Sequence, residues 1–188
     1  MPVIETIEAD LTSYIATNVM GMTDGHIFFD SNAYNKGRRP AINIQLSVTR
    51  VGKQTQTSLV KEINREVMAF LSKYEHLQQF SHFGAELSAK VKAELLMGER
   101  LYSFFNQDLH ESVPDEVQLL LFAQIWLHQY DSVPTDQISR HRWALTKAYT
   151  HDKKFFEEAT SLGTLSELLK NVESIKTHID SLCQENSN

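Results

Sequence analysis

Hydrophobic and polar residues alternate along the segment 40–52, and shortly afterwards the pattern changes to a helical one. The apolar positions of the alternating segment are Ile42, Ile44, Leu46 and Val48. A period of two predicts a strand with one buried face. Pro40, with its restricted φ, predicts where this strand opens, and Gly52 predicts where it ends. We therefore predict a half-buried strand over 40–52.

The rest of the first fifty residues also favours extended structure. The runs 13–17 and 27–29 contain aromatic and β-branched residues, and the segment 23–25 between them reads Thr-Asp-Gly, a turn sequence. The segment 32–39 is polar and contains a glycine. These patterns predict two short strands joined by a turn, followed by a loop over 32–39.

Beyond residue 55, apolar residues recur every three or four positions, which is the period of an amphipathic helix. Stripes beginning at Leu59 and Leu87 predict two helices, and Gly84 predicts the break between them. Proline next to acidic residues predicts two further helix starts, at 114–115 and 134–136. The helix after 134–136 carries Ile138, Trp143, Leu145 and Tyr149. One last helix carries Leu165, Leu168, Leu169, Val172, Ile175 and Ile179.

The predicted elements define the fold class. Strands are confined to the first part of the chain, and helices with apolar stripes occupy the remainder. The class predicted is α+β, mostly α, with an antiparallel helical bundle from about residue 55 onward that is preceded by the strands.

Composition excludes several classes of function. The 188 residues carry a net charge of −6, which disfavours a nucleic-acid partner. The single cysteine, Cys183, excludes an internal disulfide and a cysteine-based zinc site. The eight histidines are scattered without a metal-binding spacing, so no metal site is predicted. No apolar run reaches the length of a membrane span, and the first residues do not resemble a secretory signal.

The common motifs of nucleotide hydrolysis and of serine hydrolases are absent from the sequence. It contains neither a G-x-x-x-x-G-K-[ST] loop, which cradles phosphates, nor a G-x-S-x-G elbow. We therefore expect no hydrolysis of a nucleoside triphosphate by this chain alone. The remaining candidate is Arg50, just past the predicted strand, where residues that reach ligands commonly lie. The alternative interpretation is a surface arginine paired with a carboxylate.

Several motifs carry a resemblance to a known family. In chain order they are MPVIET (1–6), SYIATNV (13–19), TDGHIF (23–28), RPAIN (39–43), LSVTRVG (46–52), QFSHFGAEL (79–87) and GERL (98–101). Together they resemble the alpha subunit of the rotary ATP synthase head, strongly to about residue 130 and weakly beyond. Asn43, followed by Arg50-Val51-Gly52, favours the alpha subunit over the catalytic beta subunit.

The resemblance implies two domains. Residues 1–54 would be the C-terminal end of the P-loop nucleotide-binding domain, truncated and without its P-loop, so that the predicted strands are the last strands of that domain. Residues 55–188 would be the helical C-terminal domain. The sequence departs from the family at Gly21, where a serine is usual, and at Leu109, where a glutamine is common.

The resemblance also implies roles for four residues. Arg50 matches the arginine finger of the family, which acts in trans on a nucleotide held by the neighbouring beta subunit. A planar, permanently charged guanidinium suits the charge that spreads over the γ-phosphate oxygens in the transition state. Arg39 and Pro40 match residues at the adenine end of the alpha subunit's own noncatalytic site. Gln107 matches a glutamine placed against the same base.

The implied function is that of a portion of the ATP synthase alpha subunit. It would contribute the finger to ATP synthesis and hydrolysis, together with regulatory noncatalytic nucleotide binding. The chain would not be an enzyme alone but part of a proton-transporting ATP synthase. ATP or ADP with Mg²⁺ would be bound in the full complex, with no tight binding to this chain alone. The partners would be the beta and gamma subunits of an alternating alpha/beta ring, with no nucleic acid.

The complex would be peripheral, on the cytoplasmic side of the bacterial inner or plasma membrane or at the organellar equivalent. The chain would meet the membrane only through the assembled complex. Two alternatives stay open. One is a non-catalytic subunit-interaction module, a truncated or degenerate copy without nucleotide function. The other is a related ring ATPase, against which the context of Asn43 and the helical bundle argue.

Overall fold

A computed structural model describes residues 2–6, 10–81 and 88–186 of the chain. The chain divides into two compact units, Met1–Gln56 and Thr57–Asn188. Helices dominate the described residues, and a small sheet lies in the first unit, so the predicted class, α+β and mostly α, is confirmed. The predicted break at Gly84 and the stripe position Leu87 lie outside the described residues.

The first unit combines short helices with a small antiparallel sheet. Its elements are α1 (Tyr14–Met22), β1 (Gly25–His26), α2 (Ser31–Asn35), β2 (Val48–Thr49) and α3 (Gly52–Thr55). In the sheet, Gly25 lies opposite Thr49 and His26 lies opposite Val48. Phe29 and Ile42 form a separate antiparallel bridge. The strand predicted over 27–29 is therefore limited to this bridge.

The half-buried strand predicted over 40–52 is wrong for most of its length. Only β2 and the bridge at Ile42 pair with another segment among the described residues, and 44–46 form a turn between them. The apolar residues predicted to face a core are exposed to 37%, 44% and 48% of their surface, in Ile44, Leu46 and Val48. The alternating pattern therefore does not bury one face of a strand.

Asn43 explains the turn. Its side-chain oxygen accepts hydrogen bonds from the backbone N–H groups of Gln45 and Leu46, both at 3.1 Å. Its backbone oxygen accepts from the N–H of Ser47 at 3.1 Å and from the Ser47 hydroxyl at 2.6 Å. An asparagine side chain that bonds the following backbone offers an alternative to a strand ladder. The local hydrogen bonds therefore override the alternating pattern.

The strand predicted over 13–17 is also wrong, since α1 covers most of it. This helix buries Ala16 and leaves Tyr14 and Ile15 exposed. Strand preference reflects packing on a half-buried pleated surface. Tyr14 and Ile15 are each more than half exposed, so the aromatic and β-branched residues of this run gain no such packing.

The loop predicted over 32–39 is wrong in its first half, which belongs to α2. The side chain of Asp30 caps this helix by accepting a hydrogen bond from the N–H of Asn32 at 2.8 Å. Gly37 follows the helix with φ of +81°, a conformation that glycine adopts without steric cost. A cap and a glycine stop therefore define a helix of only five residues.

The second unit is built from seven helices within its described residues. They are α4 (Ser58–Ser81), α5 (Ala89–Phe105), α6 (Asp115–Trp126), α7 (Asp136–His151), α8 (Lys153–Thr160), α9 (Leu165–Ser174) and α10 (Lys176–Glu185). The predicted helix starts at 114–115 and 134–136 are confirmed by α6 and α7. The single last helix predicted from Leu165 onward is wrong, because it divides at Ile175 into α9 and α10.

The core of the second unit centres on α6. This helix packs against α5, α7, α8 and α9, and nearly all of its apolar residues are fully buried. The stripe of α4 predicted from the sequence is buried as well, at Leu59, Ile63, Val67, Leu71 and Tyr74. A helix that is apolar on all sides belongs at the centre of a bundle, and the amphipathic helices cover it.

One stripe is corrected by the structure. The predicted face of α7 includes Trp143, but this side chain is 52% exposed, and the neighbouring Arg142 is buried with only 3% of its surface exposed. Arg142 lies four residues after Ile138 and three before Leu145, both fully buried. It therefore occupies the inner face of α7, where a charge must find partners.

Candidate functional site

Arg50 lies at the end of β2, and its backbone is held on both sides. Its N–H donates to the carbonyl oxygen of Asp24 at 2.8 Å. The hydroxyl of Thr49 accepts from the N–H of Gly52 at 2.9 Å, which closes the turn that follows. The Arg50 side chain is exposed, and no hydrogen bond or ion pair of its guanidinium is formed with residues 2–6, 10–81 or 88–186. The arrangement presents a cation from an anchored backbone.

Arg39 and Pro40 lie beside α2. The Arg39 Nη1 atom donates to the carbonyl oxygens of Tyr34 at 2.9 Å and Arg38 at 2.7 Å. The guanidinium carbon lies 3.7 Å from the centroid of the Tyr34 ring, a cation–π arrangement. Arg39 and Pro40 are exposed, and a cis peptide bond joins them. The Arg39 side chain is therefore folded over α2.

Gln107 lies in the connection between α5 and α6 and is half-buried. A glutamine amide both donates and accepts, and this matches the donor and acceptor on one edge of adenine. Gln107 belongs to the second unit, whereas Arg39 and Pro40 belong to the first. The three residues predicted for one site are therefore divided between the two units.

Sequence reasoning missed the ion pair that holds the connection carrying Gln107. Arg142 of α7 binds the carboxylate of Glu111 in bidentate fashion, with Nε–Oε1 of 2.7 Å and Nη2–Oε2 of 2.9 Å. Arg142 Nη1 also donates to the carbonyl oxygen of Phe104 at 3.1 Å. The signal in the sequence is the position of Arg142 between Ile138 and Leu145 on an apolar stripe. A charge there predicts a buried partner, although it does not identify which one.

A second buried arginine lies elsewhere in the same unit. Arg100 of α5 donates from Nη1 to a carboxylate oxygen of Asp131 at 3.2 Å and from Nη2 to its backbone oxygen at 2.6 Å. Its Nε atom is buried and has no partner among the described residues. This pair joins α5 to the segment between α6 and α7.

A group of titratable side chains lies between α7, α10 and the segment before α7. The hydroxyl of Tyr130 lies 3.0 Å from Nδ1 of His141. Burial raises the pKa of Tyr130 and also raises the pKa of Cys183, to about 12. Burial lowers the pKa of His141, and the charge of Asp180 opposes this shift. Burial therefore favours the neutral form of the His141 ring.

This lowered pKa predicts a pH-dependent stability. The folded pKa of His141 lies below its ordinary value of 6.5, so the unfolded state binds more protons, and stability rises with pH. The contribution is present above pH 6.5 and is lost as the pH falls from there through the folded pKa. We expect a lower free energy of unfolding in urea at about pH 5.5 than at about pH 7.5.

The control for this prediction is His141→Gln, which removes the titrating ring. Its stability should depend on pH less steeply than that of the original chain. All other titratable groups are the same in the two proteins, so their contributions cancel in the comparison. Equal pH dependence of the two proteins would contradict the assignment.

Other candidate features add no catalytic site. An open apolar cavity of about 500 Å³ in the first unit is lined by residues such as Ala16, Met20, Phe28 and Val48, but not by Arg39, Pro40 or Arg50. Across the described residues, no three His, Cys, Asp or Glu side chains are arranged to hold a metal ion. None of the helices in the described part of the chain is both long and apolar enough to cross a membrane.

Two family models match the chain. The model described as ATP synthase alpha/beta chain, C terminal domain, matches residues 56–182. The model described as ATP synthase alpha/beta family, nucleotide-binding domain, matches residues 1–49. Together they cover nearly the whole chain and confirm the family resemblance inferred from the sequence.

Curated relatives agree with these matches. ATP synthase subunit alpha 1 of Mycoplasmopsis pulmonis is 35% identical over 179 residues, which cover 95% of this chain and 33% of that protein. ATP synthase subunit alpha of Neorickettsia sennetsu is 33% identical over 181 residues, which cover 94% of this chain and 36% of that protein. The corresponding protein of Carsonella ruddii is 39% identical over 138 residues, or 73% and 28% of the two chains. The chain thus spans about a third of the length of these relatives.

Proposed function

We propose, since this chain belongs to the ATP synthase alpha/beta family, that it acts as the C-terminal portion of an alpha subunit in a rotary ATP synthase head. In this proposal Arg50 reaches across a subunit interface to the nucleotide held by a beta subunit. ATP synthesis and hydrolysis take place at that beta site, and this chain contributes one charged group to it.

The observation that carries the proposal is the geometry of Arg50. Its backbone N–H is held by Asp24 at 2.8 Å, and its guanidinium is exposed. An arginine finger needs both properties. A fixed backbone sets the position of the residue, and an exposed guanidinium can reach a neighbouring subunit. Charge that develops on the γ-phosphate oxygens is best stabilised by a preorganised cation.

The second part of the proposal is a regulatory noncatalytic nucleotide site. Arg39, Pro40 and Gln107 would contact the adenine end of ATP or ADP, with Mg²⁺ bound in the full complex. Phosphate-binding residues would come from a P-loop, which this sequence does not contain. The partners would be beta and gamma subunits, and the complex would lie peripherally on the cytoplasmic side of its membrane.

A non-catalytic subunit-interaction module is the second candidate function. Large exposed apolar side chains favour it, because they leave apolar surface available for contact with a partner. In the first unit they include Val3, Tyr14, Ile15, Met22, Ile27, Phe29 and Tyr34, each more than half exposed. This candidate requires assembly with partner subunits but assigns no role to Arg50, so the two functions separate experimentally at that residue.

The isolated chain tests the nucleotide part of the proposal. It should show no ATPase turnover above background and should bind ATP or ADP weakly at best, since phosphate contacts supply much of the affinity in such sites. Calorimetry measures the affinity, and an enzyme-coupled assay measures turnover. Submicromolar binding, or turnover that copurifies with the folded chain, would contradict the proposal. Gln107→Ala should abolish whatever weak binding is seen.

Assembly tests the subunit part of the proposal. A complete alpha subunit in which this chain supplies the C-terminal portion should form a ring with beta and gamma subunits and hydrolyse ATP. Size-exclusion chromatography with mass measurement detects the ring. A complete subunit that folds but does not associate with beta would refute both candidate functions.

A further inference from the structure

We infer that Glu111 and Arg142 form a positioning element that fixes the segment carrying Gln107 for contact with an adenine base. This inference rests on the nucleotide role proposed above for Gln107, and it adds two residues with a defined task. Neither residue touches the base in this inference, and both act through the backbone around Gln107.

The Glu111–Arg142 pair contacts the backbone on both sides of Gln107. Arg142 Nη1 donates to the carbonyl oxygen of Phe104, three residues before Gln107, at 3.1 Å. Glu111 Oε2 accepts from the backbone N–H of Asp108, the next residue after Gln107, at 2.9 Å. The bidentate ion pair links these two anchors directly. The backbone on both sides of Gln107 is therefore tied to one side chain of α7.

The pair is largely removed from solvent. Only 3% of the Arg142 side chain and 20% of the Glu111 side chain are exposed. Bidentate, charge-assisted hydrogen bonds of this kind are short and directional. Burying two charges adds little net stability compared with apolar residues of similar volume. The contribution of this pair is therefore geometric, because it holds one conformation of the connection between α5 and α6.

A fixed conformation matters for recognition by an amide. Gln107 has to donate and accept at the same time to match one edge of adenine, and two simultaneous hydrogen bonds tolerate little displacement of the backbone. If the connection between α5 and α6 became ordered only on binding, the loss of its conformational entropy would offset part of the binding free energy. Anchors on both sides of Gln107 remove that cost before the base arrives.

The test uses the full chain labelled with ¹⁵N, with Glu111→Gln as the first variant. Hydrogen exchange of the Asp108 amide should become about tenfold faster, because one charge-assisted hydrogen bond is weakened. The change in the chemical shift of the Gln107 side-chain amide on titration with ATP should become smaller by a similar factor. Asp131→Asn is the matched control, since it disrupts the Arg100–Asp131 pair of the same unit. It should leave both readouts unchanged.

A double variant separates positioning from folding. Glu111→Leu combined with Arg142→Met removes both charges, so it should keep a thermal stability close to that of the original chain. The Asp108 exchange should nevertheless stay about tenfold faster, and the response of Gln107 to ATP should stay reduced. If the double variant is as stable as the original chain and also regains slow exchange of the Asp108 amide and the response of Gln107 to ATP, the pair is merely structural. The inference is then overturned.

The ATP titration also separates this inference from the proposed function. A Gln107 amide that does not respond to millimolar ATP in the original chain overturns this inference, because the segment then meets no base, while the proposed function allows such weak binding by the chain alone. A response that persists unchanged in Glu111→Gln overturns the positioning inference alone. A response that is present in the original chain and in Asp131→Asn but reduced in both Glu111 variants supports the two together.

Discussion

Arg50→Ala should lower ATP turnover by roughly 10³-fold or more in an assembled head, the lower end of the range for arginine fingers supplied in trans. The head would contain a complete alpha subunit that ends in this chain, together with beta and gamma subunits. Arg50→Lys should lose most of the turnover as well, because lysine keeps the charge but not the bidentate fork. Turnover at saturating ATP is the quantity to measure.

Nucleotide affinity at the beta site should fall much less than turnover. A finger acts mainly on charge that develops in the transition state, so its removal raises the activation barrier more than it weakens ground-state binding. Fluorescence titration of the beta site gives the affinity. The stability of the second unit should not change, because Arg50 belongs to the first unit and its side chain is exposed.

Arg65→Ala is the matched control for Arg50. Arg65 is also an exposed arginine, with 72% of its side chain accessible, and it pairs with its neighbour Glu66. Exposed pairs of this kind contribute little to stability, so both turnover and stability should stay near those of the unchanged head. Normal turnover in Arg50→Ala would remove the finger assignment and leave the interaction-module function.

Gly98→Ala should destabilise the second unit by about 1–3 kcal/mol, the usual cost of overpacking a tightly packed core. Gly98 of α5 is buried against α4, and an added Cβ would overlap with the ring of Tyr74. The ring is itself buried, so it has little room to move away. The loss should appear in spite of the higher helix propensity of alanine.

Urea unfolding of the full chain, followed by far-ultraviolet circular dichroism, measures this change. Gly163→Ala is the control, because the nearest atom to its added Cβ is Oε2 of Glu167 at 3.6 Å, an ordinary contact. It should unfold at nearly the same urea concentration as the original chain. A Gly98→Ala chain as stable as the original would mean that α4 and α5 separate at little cost.

The sequence alone was sufficient to predict α4 to α7 and the family, but it predicted neither α8 nor the division between α9 and α10. The stripes of α4, α5 and α7 repeat at the helical period over more than ten residues each, and long amphipathic stripes have few competing structures. Proline and acidic residues at 114–115 and 134–136 marked two helix starts correctly. The family motifs are linear runs of residues, so they are readable without any contact between distant segments.

The short elements depended on contacts that a periodic pattern does not contain. The strand predicted over 40–52 was lost to hydrogen bonds that the Asn43 side chain accepts, and the run 13–17 forms part of α1 with Tyr14 and Ile15 exposed. Strand structure needs a partner strand, and the partner is chosen by tertiary structure. The division of the last helix at Ile175 likewise follows from packing that the stripe alone does not reveal.

The candidate site divides in the same way. Arg50, Arg39, Pro40 and Gln107 were identified from the sequence because the family resemblance assigns roles position by position, and those roles remain proposals. Only the tertiary structure paired Glu111 with Arg142, which lie 31 residues apart, and placed Gly98 against Tyr74. Pairing across such distances depends on how the helices pack, and packing is decided by the three-dimensional fit of many side chains together.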